Sequence, residues 1–233
     1  MTTTTTTSTE PDKGSAWLGR SRTAGIAGLV WGALLIITNI ITGSVQPGAD
    51  ADVAEVAEHL VDDRGPVILA TLGFVIAIPF VIVFVVGLAR RIHRDGQTAM
   101  AVLGLFAFSG VAAMFAMTAA TRLTLVVALE TQAIGPDPVW TIWKLHEVVF
   151  GFNAAFLAAA YLAFALGAVA IGLVPRFFGV VAPIGAALLM ISAVLTPQAV
   201  EGEMYPMAFG GLGFLTWVVF VITVSYRLSR EEG

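Results

Sequence analysis

Three ionisable side chains stand together at the start of a long apolar run in this chain. In WTIWKLHEVVFGFN, residues 140–153, Lys144, His146 and Glu147 are followed by no further charge until Arg176. Histidine and glutamate are used for general acid–base catalysis, and both can bind metal ions. Because adjacent helix positions point to different faces, however, His146 and Glu147 are poorly placed to act as a direct pair.

A further ionisable side chain, Arg122, ends an apolar run and is followed by LTLVVALETQ. If both segments are helices that rise beyond the membrane, Arg122 lies at the depth of Glu147 or Asn153. We therefore predict a tall hairpin in which Arg122 pairs with Glu147. Such a pair would either fix two helices together or take part in a ligand site, because ionisable groups at membrane depth are functional candidates. His146 and Asn153 share a helix face and could line one cleft.

Polar side chains within the apolar runs concentrate in one half of the predicted bundle. They are Thr38, Asn39, Thr42, Thr118, Thr121, Asn153 and Ser192. Hydrogen bonds between helices explain such residues adequately, and the asymmetry also fits a polar cleft that opens outward. The candidate ligand-binding residues are Asn39, Arg122, Lys144, His146, Glu147 and Asn153. No catalytic residue is assigned.

The composition determines the class of protein. Hydrophobic residues make up 58% of the 233 positions and charged residues only 12%, whereas soluble domains carry about 25% charged residues. We therefore predict an integral membrane protein. The lack of cysteine excludes disulfides, thiolate nucleophiles and cysteine-ligated metals. Neither HExxH nor a phosphate-binding glycine loop occurs, so no cofactor is predicted. The basic cluster RRIHR at 90–94 is a topology signal and not a nucleic-acid patch.

Six apolar runs are long enough to cross roughly 30 Å of hydrocarbon as helices. They lie near 24–43, 67–89, 99–121, 148–173, 177–195 and 207–226. The predicted fold is an all-α, polytopic bundle of six transmembrane helices in a membrane domain at 21–228. The threonine-rich residues 1–20 are predicted to be a disordered tail, because they cannot bury enough apolar surface to order themselves. Residues 229–233 form a short C-terminal tail.

The distribution of Lys and Arg predicts the orientation of the bundle. Nine cations would lie on the side of both termini and three on the other side. The nine are Lys13, Arg20, Arg22, Arg90, Arg91, Arg94, Arg176, Arg227 and Arg230, and the three are Arg64, Arg122 and Lys144. Because cytoplasmic loops carry the excess of basic residues, we predict a multi-pass protein of the bacterial inner (plasma) membrane with both termini in the cytoplasm.

The loop after the first run contains a different kind of helix. In ADVAEVAEHLVDDRGP, residues 51–66, Asp52 and Glu55 have the spacing of a capping box, and apolar residues recur at helical intervals before Gly65 and Pro66. We predict a short amphipathic helix on the outer surface. Its polar face carries Glu55, Glu58, His59 and Asp62. These side chains are most simply a solvated acidic face, and they are also weak candidates for a metal site.

A turn between the fourth and fifth predicted helices resembles one in a known group of proteins. The segment LGAVAIGLVPRFFGVVAPIGAALLMISAV, residues 166–194, contains Pro175, Arg176 and Gly179 as a Pro-Arg-x-x-Gly turn. With the opening RTAGIAGLVWG of the first run, it resembles uncharacterised six-helix bacterial membrane proteins of the domain-of-unknown-function kind. The Thr-rich tail and the Ala/Val/Gly-rich runs are similar to those of actinobacterial proteins. The resemblance implies a fold and a membrane location, and it supplies no catalytic residue.

Three functional hypotheses remain open from the sequence. The favoured one is a non-enzymatic protein that binds the lipid bilayer and, through an outward polar cleft, a lipid, a small amphiphile or a membrane-protein partner. The first alternative is a small transporter, in which Pro79 and Pro183 would bend helices near the midplane. The second is a membrane-embedded enzyme that uses His146 and Glu147, with or without a metal.

Overall fold

The computed structural model describes residues 21–48, 51–131 and 134–231, and the predicted tail at 1–20 lies outside them. All regular secondary structure in these three ranges is α-helical, which confirms the all-α class. The helices are α1 (Ser21–Ser44), α2 (Val53–Asp62), α3 (Arg64–Arg94), α4 (Thr98–Glu130), α5 (Pro136–Ala170), α6 (Phe178–Val194), α7 (Thr196–Val200) and α8 (Tyr205–Arg230).

Five of these helices are long and apolar enough to cross a membrane, namely α1, α3, α4, α5 and α8. The remaining predicted run corresponds to α6, an apolar helix of 17 residues. Proline lies inside two of the helices, Pro79 in α3 and Pro183 in α6. Large apolar side chains also cover the outside of the bundle, where Phe106 is 75% exposed and Ile40 is 67% exposed. Such a surface is typical of a helical bundle surrounded by lipid.

Six helices pack side by side in a closed ring. Its order is α1, α3, α4, α5, α6 and α8, and α8 packs against α1 to close it. Trp31 lies inside the ring, with ring centroids 5.6 Å from Phe84 and 6.0 Å from Phe108. Trp217 stands 6.1 Å from Trp31 and meets Tyr161 edge-on. The centre of the ring is therefore a packed aromatic core, and α6 occupies a full place in the wall around it.

Both ends of the described chain lie at the same end of the ring, called the terminal end below. Gly25 of α1 faces the backbone of α8, since a Cβ there would lie 2.6 Å from the Ser225 carbonyl oxygen and 2.7 Å from the Leu228 carbonyl carbon. Arg91, in the last turn of α3, donates from Nε to Glu231 Oε2 at 3.2 Å. The first and last helices of the ring and the end of α3 are thus joined at this end.

The predicted amphipathic helix is α2, and it covers the other end of the ring, called the α2 end. Asp52 and Glu55 form the predicted capping box: the Ala54 and Glu55 amides donate to Asp52 Oδ1 at 2.8 and 3.0 Å, and the Asp52 amide donates to Glu55 Oε2 at 3.0 Å. The apolar face of α2 is buried through Val56 and Leu60. These two residues belong to an apolar cluster, the α2 cluster, with Val45, Val67, Leu125, Val126, Val139 and Trp143.

The predicted tall hairpin is formed by α4 and α5. Their 33 and 35 residues correspond to about 50 Å each at 1.5 Å per residue, well beyond the roughly 30 Å of a hydrocarbon layer. The two helices approach closely where Phe164 packs on Gly104, at which a Cβ would lie 2.5 Å from Phe164 Cε1. The end of α4 and the start of α5 both contribute to the α2 cluster, so the hairpin projects at the α2 end.

Candidate functional site

His146 lies between α4 and α5 and is only 4% exposed. Its Nδ1 is 3.2 Å from the Thr118 carbonyl oxygen and 3.2 Å from Thr121 Oγ1. A carbonyl oxygen can only accept, so Nδ1 carries the hydrogen and donates it towards α4. One face of the ring stacks on Trp143, with centroids 5.1 Å apart and planes inclined by 16°. The imidazole is therefore held by α4 on one side and by the α2 cluster on the other.

Arg122 is the second buried ionisable group, with 5% of its surface exposed. It lies one helical turn beyond Thr118, on the part of α4 that meets His146. Its Nε and Nη2 are both buried, and neither has a hydrogen-bond partner among the described residues. In a guanidinium group these two nitrogens direct N–H bonds along one edge of the plane. We call these two unpartnered donors the open edge of Arg122. Such an edge binds the two oxygens of a carboxylate or phosphate side-on.

The predicted Arg122–Glu147 pair is wrong. Glu147 instead accepts a hydrogen bond from Lys144 Nζ at 2.9 Å, and Lys144 also donates to the Val200 carbonyl of α7 at 2.7 Å. The physical reason is the rotation of about 100° between successive helix residues. Because His146 faces α4, Glu147 faces α7, and the carboxylate cannot reach the guanidinium.

The depth of Arg122 follows from two contacts between α3 and α4. At the exposed end, Arg64 Nη1 lies 2.6 Å from Glu130 Oε1, with nearly half of each side chain exposed. Further into the bundle, Phe74 packs on Phe115 with centroids 5.2 Å apart. Arg122 lies between these two levels, about 12 Å along the helix from Glu130. It is therefore inside the packed part of the hairpin and close to its α2 end.

Two asparagines from the sequence analysis are placed differently. Asn153 is 6% exposed and shares the buried face of α5 with His146, as predicted. It lies about 10 Å deeper, and its Oδ1 has no hydrogen-bond partner among the described residues. Asn39 donates to the Leu35 carbonyl of its own helix at 2.8 Å. Since α1 packs mainly on α3 and α8, Asn39 is not brought together with Arg122.

Two of the four side chains on the acidic face of α2, Glu55 and His59, take part in local bonds. Glu55 belongs to the capping box, and His59 Nδ1 lies 3.4 Å from Asp63 Oδ2. Glu58 is exposed and Asp62 is also at the surface. In the part of the chain that the structure describes, no three His, Asp or Glu side chains are grouped as a metal ion would require.

Two features of the site were not foreseen from the sequence. Trp143 is 3% exposed and stacks on His146. The Val200 carbonyl, which accepts from Lys144, belongs to the short helix α7. Pro197 in the first turn of α7 is a signal for a helix start, but it does not indicate which side chain the end of that helix will meet.

One known family matches this chain. Its description is "Domain of unknown function (DUF4386)", and the match covers residues 23–221, from α1 into α8. The predicted resemblance to an uncharacterised family is thereby confirmed. No curated protein and no solved structure matches the chain.

Proposed function

Because the chain belongs to the DUF4386 family, whose description names no activity, we propose a function from its geometry. The protein is a non-enzymatic integral membrane protein that binds a lipid or another small amphiphile at the α2 end of the α4–α5 hairpin. The observation that carries this proposal is Arg122, which is buried while its Nε and Nη2 lack an acceptor among the described residues. A buried charge is costly unless it is paired and hydrogen-bonded, so a partner from outside the chain would stabilise it.

An amphiphile suits this location better than a fully polar molecule. The polar groups of Arg122, His146 and Asn153 follow one another along the hairpin. The neighbouring surface of α5 is apolar, and Phe150 and Phe152 are each 53% exposed. A head group at Arg122 would leave a hydrocarbon tail free to lie on that surface, where it would be surrounded by lipid tails and apolar side chains.

We further propose six membrane spans, which are the five long apolar helices and α6. Its 17 residues correspond to about 26 Å, and α6 packs between α5 and α8, two helices that are long enough to span. The excess of Lys and Arg at the terminal end supports an orientation with both termini in the cytoplasm. The α2 end, with Arg122, would then face outward from the inner membrane of a bacterium of the actinobacterial type.

A small transporter is the second candidate, and one observation favours it. Pro79 and Pro183 lie inside α3 and α6, where each removes a backbone donor and can bend its helix, as in transporters with broken helices. An enzyme that uses His146 with Glu147 is the weakest candidate, because the two side chains take part in separate hydrogen-bond networks.

The binding function is tested by native mass spectrometry of the protein extracted into lipid nanodiscs. We expect an amphiphile-sized adduct on the wild type and its loss from Arg122→Ala. The matched control is Arg90→Ala, which removes an exposed arginine in the last two turns of α3, at the terminal end, and should retain the adduct. An adduct of the same mass and occupancy on all three proteins, or none on any, would overturn the proposal.

A further inference from the structure

We propose that the ligand carries an oxyanion head group, which pairs side-on with the open edge of Arg122. This inference rests on the proposed binding function and names the chemistry of the ligand. A carboxylate and a phosphate share this chemistry, since each presents two oxygens to the paired N–H groups of one guanidinium.

The geometry of the unpartnered atoms specifies the anion. Both Nε and Nη2 of Arg122 are buried without a partner, and these are the two donors of a single bidentate edge. A hydroxyl or an ester carbonyl offers one acceptor and no charge, so it would satisfy only half of this edge. A water molecule could accept a hydrogen bond, but it would leave the positive charge uncompensated between apolar clusters.

The protein itself offers no carboxylate for this role among the nearby residues described. Glu147 is bonded to Lys144, and Lys144 is further tied to α7 through the Val200 carbonyl. Glu130 is paired with Arg64 at the exposed end of the hairpin. These two acidic groups of the hairpin are therefore engaged elsewhere, and the third, Asp137, is exposed in the first turn of α5, so Arg122 keeps an unmatched charge.

The polar groups around Arg122 are arranged for the head of a lipid-like anion. The Nδ1–H of His146 donates to α4, so the imidazole ring is held in place beside the guanidinium. Asn153, about 10 Å deeper on the same face of α5, has a buried amide with an unpartnered oxygen. This oxygen can accept a hydrogen bond from a hydroxyl group that follows the charged head. The anion would thus lie at Arg122 and the less polar part of the ligand deeper in the bundle.

The test uses the full chain in dodecyl maltoside, an uncharged detergent that carries no oxyanion, and follows thermal unfolding through its five tryptophans. Oleate and phosphatidylglycerol supply a carboxylate and a phosphate, and oleyl alcohol is the uncharged control. We expect either anion to raise the Tm of the wild type and oleyl alcohol to leave it unchanged. A shift with oleate alone would identify a carboxylate ligand, and one with phosphatidylglycerol alone a phosphate.

Two substitutions separate the effect of the paired donors of Arg122 from the effect of its charge. Arg122→Lys keeps the charge but loses the paired donors, so the apparent affinity for the anion should fall at least about tenfold. Arg122→Met removes the charge, so it should show no anion-dependent shift and should be at least as stable as the wild type without anion. Arg90→Lys, the matched control at the terminal end, should behave as the wild type.

Four outcomes would overturn the inference. If Arg122→Lys and Arg122→Met keep the full anion-dependent shift, the anion binds elsewhere. If Arg122→Met is less stable than the wild type in dodecyl maltoside alone, Arg122 stabilises the fold without a ligand. If oleyl alcohol stabilises the wild type as well as oleate does, and this requires Arg122, the binding function stands but the oxyanion does not. If no additive shifts the wild type, both proposals fail.

Discussion

At the residue scale, neighbouring positions of the α4–α5 hairpin make contacts with different helices. His146 points into the contact with α4, whereas Lys144 and Glu147 form a pair that is tied to the Val200 carbonyl of α7. The Lys144–Glu147 pair is mostly buried, with 23% and 14% of the side chains exposed. Its role is to hold α7 on α5, whereas Nε and Nη2 of Arg122 have no hydrogen-bond partner among the described residues.

Removing one partner of this pair should expose its structural role. We expect Lys144→Met to lower the free energy of unfolding by about 1–3 kcal/mol, because Glu147 is left without its donor in a largely buried place. Denaturant titration in detergent measures the loss. The double variant Lys144→Met/Glu147→Gln should recover part of it, since no unpaired carboxylate remains.

The exposed pair Arg64–Glu130 provides the comparison for Lys144→Met. Nearly half of each side chain is exposed, so Arg64→Met should cost only about 0–1 kcal/mol. Equal losses at the two sites would show that Lys144–Glu147 is no more than a surface ion pair.

At the scale of elements, α2 is held by its cap and by two buried residues. Its ten residues are too few to form a stable isolated helix. The capping box satisfies backbone donors at its start, and Val56 and Leu60 anchor it to the ends of α3, α4 and α5. The capping box and the two buried residues are close together in sequence, and together they hold α2 over the end of the hairpin near Arg122.

Loss of the cap should therefore loosen α2 without unfolding the ring. Asp52→Ala is expected to destabilise α2 by about 0.5–2 kcal/mol, the usual cost of removing an N-cap side chain. Hydrogen exchange followed by mass spectrometry would show faster exchange of the α2 amides and unchanged exchange in α8. Glu58→Ala, an exposed change on the same helix, should alter exchange little, and faster exchange in that variant would argue against a specific role of the cap.

At the scale of the whole molecule, the ring explains how a helix of 17 residues belongs with five longer ones. The α6 helix closes the wall between α5 and α8, and Gly213 of α8 allows the close approach, since a Cβ there would lie 2.7 Å from the Gly185 carbonyl oxygen. Six spans, an even number, would return the chain to the end of the ring where it starts. The contact of Gly25 with α8 agrees with this.

Cysteine labelling tests the span count and the orientation together, because the native chain has no cysteine. Single cysteines at Ala57 and Glu203 should react from outside intact cells, and those at Gln97 and Arg176 only after permeabilisation. Labelling of Arg176→Cys and Glu203→Cys from the same side would show that α6 does not span. A reversed pattern at all four positions would keep six spans and invert the orientation.

The sequence by itself determined the class, the helices other than α7, and the cap of α2. Apolar length and composition are local properties, and the capping box joins residues only three positions apart, so both can be seen without a fold. The hairpin was also foreseen, because the helical patterns that extend past Arg122 to Glu130 and start before Lys144 at Trp140 are too long for a hydrocarbon layer.

Only the tertiary structure decided which buried groups meet. The partner of Glu147 depends on how far α5 is rotated about its axis and on where α7 ends, and neither is encoded in the local pattern around Lys144. Asn39 shares the polar character of Asn153 but lies on α1, which packs mainly on α3 and α8. The open edge of Arg122 and the place of α6 in the ring follow from these packing choices, because contacts between helices depend on the orientation of each helix relative to its neighbours.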